Sequence, residues 1–267
     1  MKRAIAKTIV KLYRRLFARA LFDELNQLVY RCSLAGLGIL NYESNAISGE
    51  MSFLRSFLKL RVDGVVIDVG ANVGNYSKLV LDINKSLIVY AFEPHPKNFA
   101  KLAETVSDGA FYPINAAVSD IEGLLSLYDL GDNDGSTHAS LYKDAVEEFF
   151  HAKAVEHKVR VCRLGEFVKN RNIQKIDLLK IDVEGNELKV LRGIEEFIKS
   201  GRIEAIHFEF NGLNVYSRTY FKDFWDMLPN YHFYRLLPGA TVEIERYSPL
   251  FCEIFAYQNI VAILKNN

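Results

Sequence analysis

Six short apolar runs punctuate the chain: VVIDVG (65–70), LIVYAFE (87–93), FYPINAAV (111–118), IDLLKIDV (176–183), IEAIHFEF (203–210) and NIVAILK (259–265). They are rich in β-branched and aromatic residues and too short for core helices, so they read as buried strands. Helix-length stretches at 75–84, 97–107, 186–200 and 217–228 separate several of them. Strands alternating with helices imply right-handed crossovers and a mainly parallel sheet with helices on both faces, an α/β class. Residues 119–162 break this alternation, and LLSLYDL and HKVRVCRL read there as short strands of an insertion or edge hairpin around a polar loop. The polar loop 131–138 is a candidate lid.

Residues 1–31 carry eight Lys or Arg against Asp23 and Glu24, although the whole chain balances 33 basic against 33 acidic side chains. That balance gives no whole-chain attraction to nucleic acid, so nucleic-acid partners are not expected. Ile5, Ile9, Leu12 and Leu16 recur at helical steps, and the segment reads as a basic amphipathic helix. Packing on the domain or contact with a partner is the first expectation, and a peripheral seat on an anionic membrane is the alternative. The run 28–40 is interrupted by Arg31 and Ser33 and is too short to span a bilayer. No signal-peptide pattern follows the basic residues. Three widely spaced cysteines, Cys32, Cys162 and Cys252, fit a reducing compartment, so the expected location is cytoplasmic. Residues 1–60 are taken as a helical N-terminal extension or cap and 61–267 as the main domain.

In an open parallel sheet, ligands bind beyond the carboxyl ends of the strands. The first such end reads Asp68-Val69-Gly70-Ala71-Asn72-Val73-Gly74. Its glycines let a ligand approach the backbone. Asn72 stands where a dinucleotide fingerprint needs glycine, and the GK[ST] ending of a phosphate loop is absent. The second end carries Glu93, nineteen residues beyond Gly74, where a carboxylate can accept hydrogen bonds from both ribose hydroxyls. Asp68 within the turn suits an amino group or cation better than a pyrophosphate. A nucleoside bearing a cationic end, S-adenosylmethionine, fits this combination.

VVIDVGANVGNYS, YAFEPHPKNF, NAAVSD and LLKIDVEGNELKVLRG, in this order, resemble the FkbM-type methyltransferases, as does GEMSFL at 49–54. The resemblance spans about residues 49–265 and is densest from 65 to 195. It implies S-adenosylmethionine as cofactor and a class I, Rossmann-like fold whose seven-stranded sheet ends in an antiparallel hairpin. It further implies methyl transfer, chiefly to oxygen of small molecules, sugars or glycans. On that basis the cofactor set is Asp68, Gly70, Asn72, Gly74 and Glu93, with Asn115 and Ala116 beside the adenine.

Two further strand ends supply candidates for the acceptor side. Asp182 and Glu184, two apart, fall on one side of an extended chain, and Gly185 permits a sharp entry into a helix. His207, Glu209 and Asn211 share one side of the fifth run. Asp182, Glu184, His207 and Glu209 form the catalytic set, and Asn211 is placed at acceptor hydroxyls. His207 lies mid-strand and equally suits a satisfied sheet histidine. Oxygen ligands at Asp182, Glu209 and Asn211 would suit magnesium, but no metal is assigned. The rival classes are a nicotinamide oxidoreductase, whose glycine fingerprint is incomplete here, and a non-catalytic nucleoside-binding protein.

Overall fold

The computed structural model describes residues 2–105 and 109–265. Helices α1 (Lys2–Phe17), α2 (Asp23–Gly36) and α3 (Glu50–Leu58) precede strand β1 (Val65–Val69). There follow α4 (Asn75–Ile83), β2 (Ile88–Phe92), α5 (Pro96–Thr105), β3 (Ala110–Ile114), β4 (Ala117–Ser119), β5 (Gly123–Leu130), β6 (Ala154–Arg163) and α6 (Leu164–Asn170). The second half holds β7 (Ile176–Ile181), α7 (Glu187–Gly193), α8 (Glu195–Lys199), β8 (Ile203–Phe210), α9 (Leu213–Tyr216) and α10 (Phe221–Met227). β9 (Tyr231–Leu237), β10 (Ala240–Glu243), α11 (Pro249–Cys252) and β11 (Gln258–Leu264) complete it.

The main sheet has eight strands in the order β3-β2-β1-β7-β8-β11-β9-β10. The first five are parallel, whereas β11 runs antiparallel to both β8 and β9. This corrects the expected count of seven: the added strand is the short edge β10, paired antiparallel to β9. The run 111–118 is also not one strand. It bends at Asn115 and Ala116, so β3 stays in the main sheet while β4 joins β6 and β5 in a separate three-stranded sheet. The helix expected over 97–107 is seen as Pro96–Thr105, and Val106 and Ser107 lie outside the described residues. That expected over 186–200 is divided at Ile194 between α7 and α8.

Period-two alternation sorts the sheet residues between two layers. Ile67, Val69, Leu179, Ile181, Ile206 and Phe208 pack in one core with Leu191, Phe197 and Phe224 from α7, α8 and α10. Val66, Leu178, Ala205 and Val261 face the other way, onto Phe53, Leu54 and Leu58 of α3 and Val80 of α4. On that second face, three polar residues of neighbouring strands stand in register: Asp68 opposite Lys180, and Lys180 opposite His207.

Of the N-terminal helices, α3 packs on the domain and α1 does not. Ala4 to Leu16 are all exposed, and in α2 only Leu34 is buried. α1 is instead tied back to α2: Tyr13 Oη donates to Asn26 Oδ1 at 2.8 Å, and the Phe17 and Phe22 rings meet edge to face. Among the described residues no helix is long and apolar enough to cross a membrane.

Candidate active site

The cavity at the carboxyl ends of β1, β2 and β7 is walled by three groups of residues. Gly70, Asn72 and Glu93 come from the first two strand ends, and Asp182, Val183 and Glu184 from the exit of β7. Ala116, Val118, Leu127, Ala139 and Leu141 give it an apolar side, closed by Ser136 and Thr137 of the polar loop. Asn72 Nδ2 and Asn98 Nδ2 both donate to the Ser136 carbonyl, at 3.3 and 3.2 Å, which seats that loop as a wall.

Glu93 is 6% exposed, and each of its oxygens accepts one backbone N–H at 2.8 Å, Oε2 from Asn72 and Oε1 from His95. Burial pushes its pKa up to about 7. Asn115 does not line the cavity. Its Nδ2 donates to the carbonyls of Glu93 and Pro94, fixing the turn, while Ala116 forms part of the wall.

Gly70 has φ +85, and a Cβ there would sit 1.7 Å from the Asp182 carbonyl oxygen. Its missing side chain therefore serves the close approach of the β1 and β7 exits as well as the cavity. Gly74, at φ +90, precedes α4 and lies outside the wall, against Leu102. Asp68 also departs from expectation. Strand parity turns it to the α3–α4 face, where it accepts the Ser77 hydroxyl at 2.6 Å and is 1% exposed. Its burial pushes its pKa to about 6.

Asp182 lines the cavity, and its Oδ2 lies 3.1 Å from the buried Lys180 Nζ. Burial disfavours the Lys180 charge, but the carboxylates of Asp182, Glu50 and Glu209 outweigh it and hold the ammonium protonated. Glu184 also lines the cavity, though not by strand alternation: β7 ends at Ile181, and Glu184 adopts φ +53. Asn211 Nδ2 bridges two carboxylates, donating to Glu209 Oε1 at 2.7 Å and to Glu184 Oε2 at 3.4 Å. Burial, reinforced by the charge of Asp182, raises both Glu184 and Glu209 well above the usual carboxylate range. Glu209 and Asn211 stand behind the wall, in contact with it through Glu184.

His207 is the clearest departure from the catalytic set. It is fully buried mid-strand, with Nδ1 3.0 Å from Tyr76 Oη and Nε2 3.0 Å from Asn259 Oδ1, away from the cavity wall. Burial, with help from Lys180, lowers its pKa well below the ordinary value and keeps it neutral. It is a satisfied sheet histidine. The aromatic residues Phe221, Phe224 and Phe233 likewise cover the sheet and are at most 2% exposed.

Sequence reasoning missed Lys180, Tyr76 and Glu50. For two of them the signal was charge within an apolar run, Lys180 inside IDLLKIDV and Glu50 as the second residue of GEMSFL, whereas Tyr76 carried none. Glu50 reaches this cluster from α3, with Oε1 3.8 Å from His207 Nε2.

Residues 68–236 match the methyltransferase FkbM domain, more than half of the chain. The chain is 32% identical over 169 residues to the 31-O-demethyl-FK506 methyltransferase FkbM of Streptomyces tacrolimicus, covering 54% of this chain and 64% of that protein. It is 28% identical over 157 residues to the hexuronic acid methyltransferase AglP of Haloferax volcanii, covering 58% and 60% respectively. With the 2-O-methyltransferase NoeI of Sinorhizobium fredii the identity is 24% over 188 residues, 67% of this chain and 76% of that protein. The chain thus spans under two thirds of the length of the first two relatives. From the domain match and the strand-end residues that lie within it, the chain belongs to the FkbM methyltransferase domain family.

Proposed function

We propose that this protein is an S-adenosylmethionine-dependent O-methyltransferase acting on a hydroxyl of a small molecule, sugar or glycan. The observation that carries this reading is the convergence of Glu93, Asp182 and Glu184 on one cavity with an apolar side wall. The residues fit the cofactor. Glu93 keeps lone pairs free for ribose hydroxyls, the apolar wall from Ala116 to Leu141 suits a purine, and Asp182 places negative charge toward a cationic end. When bound, S-adenosylmethionine supplies a methyl group already activated by its positive sulfur.

The protein has then to orient an acceptor oxygen, exclude water and take a proton. Glu184 is the proposed base, because it borders the cavity and its raised pKa makes it a stronger base than a solvated carboxylate. Asn211 and Glu209 steady Glu184, and Lys180 holds Asp182. The relatives' printed names, a hexuronic acid methyltransferase and a 2-O-methyltransferase among them, support a hydroxylated acceptor.

Calorimetry with S-adenosylmethionine, S-adenosylhomocysteine and NAD tests the cofactor. Tight binding of NAD with no response to the sulfur compounds defeats the proposal in favour of an oxidoreductase. Binding without any methyl-mass gain across a broad metabolite and glycan extract favours the non-catalytic alternative. Glu184→Gln should lower kcat by at least about 100-fold, the lower end for loss of a general base, with cofactor affinity retained.

The location reading is peripheral attachment to an anionic membrane. On α1, exposed Ile5, Ile9, Leu12 and Leu16 share one face, and Lys7, Lys11 and Arg14 fall on the opposite one. This is the pattern of a helix lying in a bilayer interface.

A further inference from the structure

A second cluster of chemically capable side chains lies beside the cavity, built from three separate segments. His95 follows β2 and is fully buried, Asp134 belongs to the polar loop, and His157 lies on β6. The Nε2 atoms of His95 and His157 point at the same oxygen, Asp134 Oδ1, at 2.9 and 2.7 Å. Their rings meet at 71° with centroids 4.6 Å apart. The remaining charges around them are Lys97, whose Nζ pairs with Asp134 Oδ2 at 2.5 Å, and Asp129, whose Oδ2 lies 3.5 Å from His95 Nε2.

We propose that His95, His157 and Asp134 form a binding site for a divalent transition metal of the zinc type, which pins the 131–138 loop to the turn after β2. Two imidazole nitrogens and one carboxylate oxygen are a donor set suited to zinc, and a poor one for magnesium or calcium, which take oxygen ligands. The three donor atoms lie within 4.8 Å of one another. Around a tetrahedral ion with bonds of about 2.0–2.1 Å, neighbouring donors stand roughly 3.3 Å apart, so each imidazole nitrogen needs to part from Asp134 Oδ1 by roughly half an ångström. Lys97 occupies the far oxygen of Asp134 and leaves Oδ1 to the ion. Water or Asp129 completes the fourth position.

The role is structural. Asp129 already gathers the loop, accepting N–H groups from Gly135 at 2.7 Å and Ser136 at 3.0 Å. A metal at Asp134 would fasten the loop's other shoulder, next to the Ser136 and Thr137 wall. This inference stands independently of the methyl-transfer reading.

The test uses the full chain without a polyhistidine tag, stripped with EDTA, dialysed, and titrated with zinc chloride by calorimetry. Cobalt chloride is added in parallel and followed by visible absorption. The expected result is one equivalent of zinc, a cobalt spectrum of tetrahedral intensity, and a higher melting temperature with zinc than after EDTA. Asp134→Asn and His157→Asn should each weaken zinc at least about tenfold, since each removes one ligand. His232→Asn, far along the chain and exposed, should leave binding unchanged. Asp134→Asn alters a half-buried loop residue outside the strands and so reports even where His157→Asn disturbs β6. Wild-type protein that binds no zinc, or binds it no more tightly than both ligand variants do, overturns the proposal. None of these readouts depends on methyl transfer.

Discussion

Glu93 has two demands on its protonation that pull in opposite directions. Accepting two backbone N–H groups and a ribose favours the carboxylate, while burial favours the acid and brings the pKa to about 7. Cofactor affinity should therefore fall as pH drops from about 8 to 6, when the acceptor is lost. Glu93→Gln should weaken binding about 10- to 100-fold at pH 8, the worth of hydrogen bonds to a charged group, and flatten the pH dependence. Calorimetry across that pH range checks both, and a variant that retains the wild-type slope contradicts the assignment. Lys180 offers a second test. In Lys180→Met, Glu50, Glu184 and Glu209 lose a shared counter-charge that lowers them, so their pKa values rise further. The acid limb of the kcat/KM profile should shift to higher pH with cofactor affinity little changed. An unshifted profile would make Lys180 a purely structural residue. The place of Glu93 at the cavity was legible because a strand-end acid needs only spacing from a glycine turn. The role of Lys180 was not, because it depends on Glu50 arriving from α3, a contact that no local pattern encodes.

At the level of elements, the tightest constraint is the crossing of the β1 and β7 exits. Gly70→Ala places a methyl 1.7 Å from the Asp182 carbonyl in a left-handed conformation. It should cost at least about 3 kcal/mol, combining left-handed strain with displaced backbone. Gly36→Ala, at the end of α2 with nothing within 4 Å, should be neutral or stabilising by up to about 1 kcal/mol. Urea midpoints decide, and equal midpoints for the two variants refute the crossing constraint. For α1, vesicles of phosphatidylglycerol and phosphatidylcholine should float the full chain at low salt. Phosphatidylcholine alone should not, because each basic residue near an anionic surface contributes about 1 kcal/mol. A chain lacking residues 1–31 should remain unbound, and identical flotation of both chains negates the membrane reading. The amphipathic period of α1 was readable from spacing alone, whereas its exposure away from the domain core was not. The strand break at Asn115 was hidden for a related reason: apolar residues continue through it, and only three-dimensional pairing divides them between sheets. Pro113, which cannot donate to a ladder, marks β3 as the edge it proves to be.

For the molecule as a whole, the ligand and the fold should share one stability. S-Adenosylhomocysteine at a hundred times its Kd should stabilise the protein by about 2.7 kcal/mol, and NAD at the same concentration should leave the melting temperature where it was. Equal shifts from both would point to a general nucleotide site. The parallel core was predictable at this scale because buried strands declare themselves as unbroken apolar runs. β9 and β10 escaped because YHFYRLL mixes aromatic and charged residues, and ATVE is an exposed edge. The two-sheet arrangement also has a practical consequence. Glu93 and Asp182 belong to the large sheet's exits, whereas Leu127 belongs to the small one and Ser136 and Thr137 to the excursion between β5 and β6. The excursion from 117 to 163 is accordingly a natural cassette: grafted from one relative to another, it should bring its own apolar wall and loop to a cavity whose carboxylates, Glu93, Asp182 and Glu184, stay with the recipient.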